Sequence, residues 1–237
     1  MIKLERTSVM NFENALRGMR NPMNSWDKAD SYFSCGDFDC QTKCAENCAC
    51  CNWSRVGRVY IIGDNDLDLA RRLVKAGSDH RKFLRQIFVS VDVTAPLYWW
   101  KEMDQYRVSV TTNSTSTMHR IHAKPFELDD FSYERMSAQG VKLLAEHVIP
   151  FLEGTRMLYN EKEDPDVKRC LWNDMIQLLP SSYNQMRTCT LNYENLLNIY
   201  FARRYHKLDE WHTYCDWISG LPYFREMCIE PMEEKNG

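Results

Sequence analysis

Residues 80–120 read HRKFLRQIFVSVDVTAPLYWWKEMDQYRVSVTTNSTSTMHR. Ile87, Val89, Val91 and Val93 alternate with Phe88, Ser90 and Asp92, the period-two pattern of a half-buried strand. Pro96 follows, and proline suits a first helical turn because its missing N–H would find no intrahelical partner there. The spacing predicts a helix over 97–106 that carries Trp99 and Trp100. After Arg107 comes a run of short hydroxyl and amide side chains, Thr111, Thr112, Asn113, Ser114, Thr115, Ser116 and Thr117. Such side chains pack poorly as core and compete with a helical backbone. They read as a polar loop that offers many donors and acceptors to an anion.

Upstream, residues 2–30 predict a short strand, a helix and a loop. Residues 31–55 have no helical or strand period and read as an inserted loop. Residues 59–62 are a short apolar strand candidate. Asp64 or Asn65 can cap a helix that carries Leu67, Ala70, Leu73 and Val74 and stops at Gly77. Downstream, 122–131 reads as loop or short strand. A long helix is expected over 133–159, with a kink or break from Gly140 and Pro150. Asp164-Pro165 opens another helix, stopped by Pro180. Residues 183–190 are strand-like. Asn192 is an N-cap for a helix to Arg204, and Leu208, Trp211, Cys215 and Ile218 mark the last clear helix, ended by Gly220 and Pro222.

At 237 residues and 44% apolar composition, the chain can bury a core of its own, and it is expected to form a single domain over 1–237. Net charge is −3 with both signs dispersed, so no basic footprint for a nucleic-acid backbone is present. Residues 1–20 are charged throughout and lack the apolar core of a signal peptide. No stretch approaches the roughly 20 apolar residues of a membrane span. These features lead to the expectation of a cytoplasmic globular protein. Ten cysteines are present, and Cys35, Cys40, Cys44, Cys48, Cys50 and Cys51 crowd together. A disulfide framework is not expected in a reducing compartment. The Cys40, Cys44, Cys48 and Cys51 spacing permits a zinc site, but no histidine precedes His80 and two clean C-x-x-C pairs are missing. The segment therefore reads as a thiol-rich insertion, with a structural metal as the alternative.

The stretch from Pro96 through Gln105-Tyr106-Arg107 into the Asn/Ser/Thr run resembles the signature region of the flavin-dependent thymidylate synthases. That family follows a strand, a proline and a helix with R-H-R-x-x-S-x-N-E-x-S-x-R-Y. A second likeness lies in Leu179-Pro180, Asn192, Asn198 and Arg203, which match a family segment at the same separations. A third is Asp79-His80, where the family has glycine-histidine at the same distance from Pro96. The resemblance covers about half the chain. It implies an α+β fold, a mostly antiparallel sheet flanked by helices, in a homotetramer.

The resemblance also implies FAD as cofactor, NADPH and methylene-tetrahydrofolate as co-substrates, and reductive methylation of dUMP to dTMP. His80, Gln105, Tyr106, Arg107, Asn192 and Asn198 would seat FAD. Glu102, Asn113, Ser114, Thr115, Ser116 and Arg203 would bind dUMP, with Arg203 as the catalytic group that polarises the uracil. Read from the residues alone, Asn192 is a helix cap, His80 a surface histidine and Arg107 a structural ion pair. Asn198 sits in a helix apolar nearly all round, which predicts that it is buried and needs partners.

The departures from the family pattern fall on the substrate side. Its glutamate and phosphate-binding arginine have no counterpart near Asn113, Ile176 and Asn173 replace another arginine and glutamate, and Glu102 stands where the family has glutamine. A charge-assisted hydrogen bond contributes about 1.5–3 kcal/mol, so losing two arginines would weaken phosphate binding by roughly two to four orders of magnitude. His119, Arg120 or Lys124 are the available substitutes. The alternatives are a flavoenzyme of the same fold acting on a different pyrimidine nucleotide, and a non-enzymatic nucleotide- or partner-binding relative.

Overall fold

The computed structural model describes residues 2–35 and 58–236. The chain runs β1 (Lys3–Met10), α1 (Phe12–Met19), β2 (Tyr32–Cys35), β3 (Arg58–Ile61), α2 (Asp64–Ala76), β4 (Phe88–Pro96), α3 (Leu97–Met103), β5 (Thr111–Ser114) and α4 (Thr117–Arg120). It continues with α5 (Ala138–Leu143), α6 (Ile149–Glu161), α7 (Pro165–Gln177), β6 (Asn184–Asn192), α8 (Tyr193–Arg203), α9 (Asp209–Ser219) and α10 (Glu230–Asn236). Two compact units result. The four-stranded sheet has the order β1-β4-β6-β5, and β2 and β3 form a separate antiparallel pair. The fold is mixed helix and antiparallel sheet.

The first unit comprises Met1–Thr7, Ser90–Thr190 and His206–Tyr214. The alternation in β4 buries Val91, Val93 and Ala95. Where the strand ends, the first N–H groups of α3 meet carbonyls: Leu97 N donates to Tyr183 O and Tyr98 N to Ser181 O, both at 3.0 Å. Those bonds satisfy donors that a helix start leaves open. The helix ends at Met103, earlier than the expected 106. Gln105 N bonds Glu102 O and Tyr106 N bonds Met103 O, i→i+3 bonds that tighten the chain into a turn. Trp99 packs against Trp211 at 4.8 Å and Tyr214 at 5.4 Å between ring centroids.

The polar run is not a loop. Residues Thr111–Ser114 form edge strand β5, paired antiparallel with β6 in the register Thr111↔Thr190 to Ser114↔Arg187. Every residue of β5 is exposed, so backbone pairing alone fixes it and no apolar alternation announces it. Ser116 then caps α4, its Oγ accepting from His119 N at 3.0 Å. The long helix starts at Ala138, capped by Ser137, later than the expected 133. It passes through one π turn, Leu144–Val148, before Pro150 in the first turn of α6, a break of the kind Pro150 imposes by lacking an N–H. Asp164 caps α7 by accepting from Asp166 N and Val167 N. These helices pack on a core of Phe126, Phe131, Leu152 and Met175.

The second unit comprises Ser8–Val89, Leu191–Tyr205 and Cys215–Gly237. Its core joins Phe12, Leu16 and Met19 of α1 to Leu69 and Val74 of α2, Leu197 of α8 and Phe224. Tyr193 packs edge-on against Phe12 at 5.7 Å and Phe224 at 4.9 Å. The residue flanking α2 is Gly63, and neither Asp64 nor Asn65 caps it. The cap comes instead from Asp30, whose carboxylate accepts from Asn65 N at 2.9 Å and Asp66 N at 3.1 Å. Gly77 ends α2 at φ 110, ψ −177.

Residues 32–35, expected to belong to a loop, are strand β2, and Cys35 pairs with Arg58. The possible metal ligands Cys40, Cys44, Cys48 and Cys51 lie outside the described residues. Beyond Pro222 the chain makes a π turn at Arg225–Ile229 and helix α10, neither of which was expected. Among the described residues no helix is long and apolar enough to cross a membrane, and no group of His, Cys, Asp and Glu could hold a metal ion.

Candidate functional site

The residues expected to form the site divide between the two units. Glu102, Gln105, Tyr106, Arg107 and Asn113–Ser116 lie in the first; His80, Asn192, Asn198 and Arg203 lie in the second.

In the first unit, Glu102 projects from α3 and its Oε2 is 3.2 Å from both the His206 Nε2 and the Trp211 Nε1. That carboxylate is already held by an imidazole and an indole N–H. Tyr106 and Arg107 line a shallow cleft of about 250 Å³ with Met103, Asp104, Val110 and Thr112. Arg107 is exposed; its Nε donates to Asp104 O at 2.8 Å, and its terminal amines make no hydrogen bond among the described residues. It is therefore not the ion pair that the residue alone suggests.

A larger cleft of about 660 Å³ is lined by Thr115, Ser116, Thr117, Arg120 and Lys124, with Lys3 and Asn184. Hydroxyls, cations and the carboxylates of Asp129 and Asp130 thus share the lining. Lys124 pairs with Asp130, and burial of the ammonium, outweighed by that bond and charge, leaves its pKa raised. Arg120 and Lys3 make no ion pair among the described residues.

In the second unit, Asn192 is buried, at 2% exposure. Its side chain accepts from Asn195 N at 2.9 Å while the Asn195 side chain accepts from Asn192 N at 3.2 Å. This reciprocal capping box is the cap that the sequence signals. Asn198 is exposed rather than buried, because the residues on its face of α8 leave it at the surface. Its Oδ1 accepts from Arg81 Nη2 at 3.3 Å. His80 lines a cleft of about 440 Å³ with Lys82, Gln86, Met19 and Phe83. Arg203 sits half-buried in the last turn of α8.

Two arginines were not anticipated. Arg81 is buried and its Nε lies 3.1 Å from Glu194 Oε1 and 3.2 Å from Oε2; the only local signal is its place beside His80. Arg187 stacks on the Trp100 ring at 4.2 Å and donates to Asp104 at 2.7 Å.

No protein-family profile matches the chain, and no curated protein matches it. Solved structures do. A thymidylate synthase X from Helicobacter pylori, crystallised with FAD and dUMP, aligns over 97% of this chain and 98% of its own, at a TM-score of 0.62 and 15% identity. A second structure of the flavin-dependent thymidylate synthase of that organism, also with FAD and dUMP, gives 0.57 and 16%, covering 97% of each chain. The chain has the flavin-dependent thymidylate synthase fold. The expected α+β architecture is therefore the observed one.

Each unit presents its own donors. In the first, Arg107, Thr115, Ser116 and Arg120 offer N–H and O–H groups, and in the second Lys82 and the Asn198 amide offer N–H groups; donors of this kind suit carbonyl, ring-nitrogen or phosphate acceptors.

Proposed function

We propose that this chain is a flavin-dependent enzyme of the thymidylate synthase type, binding FAD and dUMP and producing dTMP with methylene-tetrahydrofolate and NADPH as co-substrates. The single observation that carries the reading is the likeness, over 97% of the chain, to two structures containing FAD and dUMP. In this reading residues 1–237 act as one catalytic domain, in the cytoplasm and as a homotetramer. FAD, when bound, supplies the hydride that completes the methyl group.

The protein's own residues orient and stabilise. His80, Gln105, Tyr106, Arg107 and Asn198 hold the flavin, while Asn192 fixes the start of α8 that carries Asn198. Arg203 donates to a uracil carbonyl and draws electron density toward the oxygen, which favours chemistry at the neighbouring ring carbons. Thr115 and Ser116, with Asn113 and Ser114 on the adjoining strand, bind the phosphate, and Arg120 and Lys124 supply the positive charge that the missing family arginines do not. Glu102 positions His206 and Trp211.

The internal engagement of Glu102 and the exposure of β5 favour a second reading, a flavoenzyme of the same fold that takes a different pyrimidine nucleotide. One preparation separates the readings. Purified protein incubated with FAD should show flavin absorbance that survives gel filtration, and added dUMP should perturb that spectrum. Release of the C5 hydrogen of dUMP, dependent on both folate and NADPH, identifies the first reading. A flavin spectrum moved by another pyrimidine nucleotide and not by dUMP identifies the second. Protein that stays colourless with added FAD refutes both and leaves a non-enzymatic relative.

A further inference from the structure

In the second unit, Glu194 and Asn198 stand one turn apart on α8 and so share a face of that helix. Arg81 spans both. Its Nε donates to the two carboxylate oxygens of Glu194 at 3.1 and 3.2 Å, and its Nη2 donates to Asn198 Oδ1 at 3.3 Å. Its Nη1 lies 3.7 Å from the sulfur of Met232 on α10. All three guanidinium nitrogens are thus engaged, and Arg81 and Glu194 are buried.

A guanidinium carries donors and no acceptor. Only the oxygen of the Asn198 carboxamide can face it, so the N–H₂ group is turned away from Arg81. Asn198 is exposed whereas Glu194 is buried. The arginine is therefore anchored in the interior and decides which end of a surface amide faces outward. A free asparagine has no such preference, since its two ends are alike in size and opposite in polarity. Stability is a poor account of the arrangement, because a buried ion pair adds little over apolar side chains of the same volume.

We propose that Arg81 is a positioning residue: held by Glu194, it sets Asn198 with the oxygen inward and the N–H₂ outward. This point of α8 then presents a donor and takes a ligand atom with a lone pair, a carbonyl oxygen or an unprotonated ring nitrogen. The inference rests on the flavin reading, in which Asn198 contacts FAD and the acceptor belongs to FAD.

The test is a titration of the full chain with FAD, followed by flavin fluorescence. Arg81→Lys keeps a cation against Glu194 and loses the fork that reaches Asn198. Arg81→Lys and Asn198→Ala should each weaken FAD about fivefold, and the double variant should be no weaker than Asn198→Ala alone. Asn198→Asp keeps an acceptor for Arg81 but turns an oxygen outward; it should melt like the wild type and bind FAD about tenfold more weakly, because two acceptors then meet. That variant carries the test if Arg81→Lys does not fold. Unchanged affinity in any single variant, or additive losses in the double variant, which a purely structural arginine would give, would overturn the proposal. Wild-type protein that takes up no FAD refutes the flavin reading instead, and the orientation is then read from the amide itself. With nitrogen-15 asparagine, the Asn198 N–H₂ signal (located with Asn198→Ala) should show the heteronuclear NOE of a rigid group in the wild type and of a mobile one in Arg81→Lys. Equal mobility in the two would overturn the proposal whatever FAD does.

Discussion

Asp66 shows how much one carboxylate can fix. Burial pushes its pKa up, but hydrogen bonds from Ser31 and Arg20 and the Arg20 charge outweigh that and hold it below the usual 3.8. A folded value below the unfolded one means that the stabilisation is fully present above pH 3.8 and is lost as pH falls through the folded value. Asp66→Asn should therefore cost about 3 kcal/mol at pH 7, because it leaves Arg20 buried beside a neutral group. The gap between variant and wild-type urea midpoints should narrow below about pH 4; a gap independent of pH would contradict the assignment. The thiols give a second prediction. Burial pushes Cys189 and Cys215 up to about 12 and Cys228 upward as well, whereas Cys170 is exposed. Iodoacetamide at pH 7.5, read by peptide mass spectrometry, should label Cys170 on the order of a hundredfold faster than those three, with the difference erased in denaturant. Asn192 was legible in the sequence because a cap and its N–H partner lie three residues apart. Arg81 was not, because Glu194 and Asn198 stand 113 and 117 positions away.

At the scale of elements, local period and long-range pairing part company. The alternation of β4 and the Asp164-Pro165 helix start were readable because their signals are contiguous. The β5 edge was not, since an exposed strand has no apolar period and is set by its neighbour. The cap of α2 was also invisible, because Asp30 reaches it from across a long stretch of chain. A Cβ on Gly63 would fall 2.2 Å from the Asp30 carboxylate carbon, so the glycine leaves space for that cap. Asp30→Ala should cost about 1–2 kcal/mol while Asp64→Ala changes little. Gly63→Ala should cost a comparable amount, and the double variant should fall short of the sum, since both changes remove one interaction; additive losses in urea melts would refute the shared cause. Gly77→Ala tests the other end of α2. No atom crowds the site, yet φ 110 suits glycine almost alone, so a loss of about 1–3 kcal/mol would be pure backbone strain.

For the whole molecule, the fold was legible from punctuation. Pro96 ends a strand, Pro180 follows a helix, and Asn192 opens another; each acts on the backbone through its own geometry or hydrogen bonds. The candidate site was less legible, because phosphate binding can be met by hydroxyls and cations from several positions and needs no fixed order of letters. The paired strands β2 and β3 carry one more implication. The chain departs at Cys35 and returns at Arg58, directly opposite it in the ladder, so two backbone ends some 5 Å apart bracket all of residues 36–57. A two-residue Asn-Gly link can span such a gap. Splicing it in place of residues 36–57 should give a shortened polypeptide that melts as a folded unit and retains whatever ligand affinity the parent has. The β2–β3 ladder would then depend on its own register and not on the length of chain between its ends.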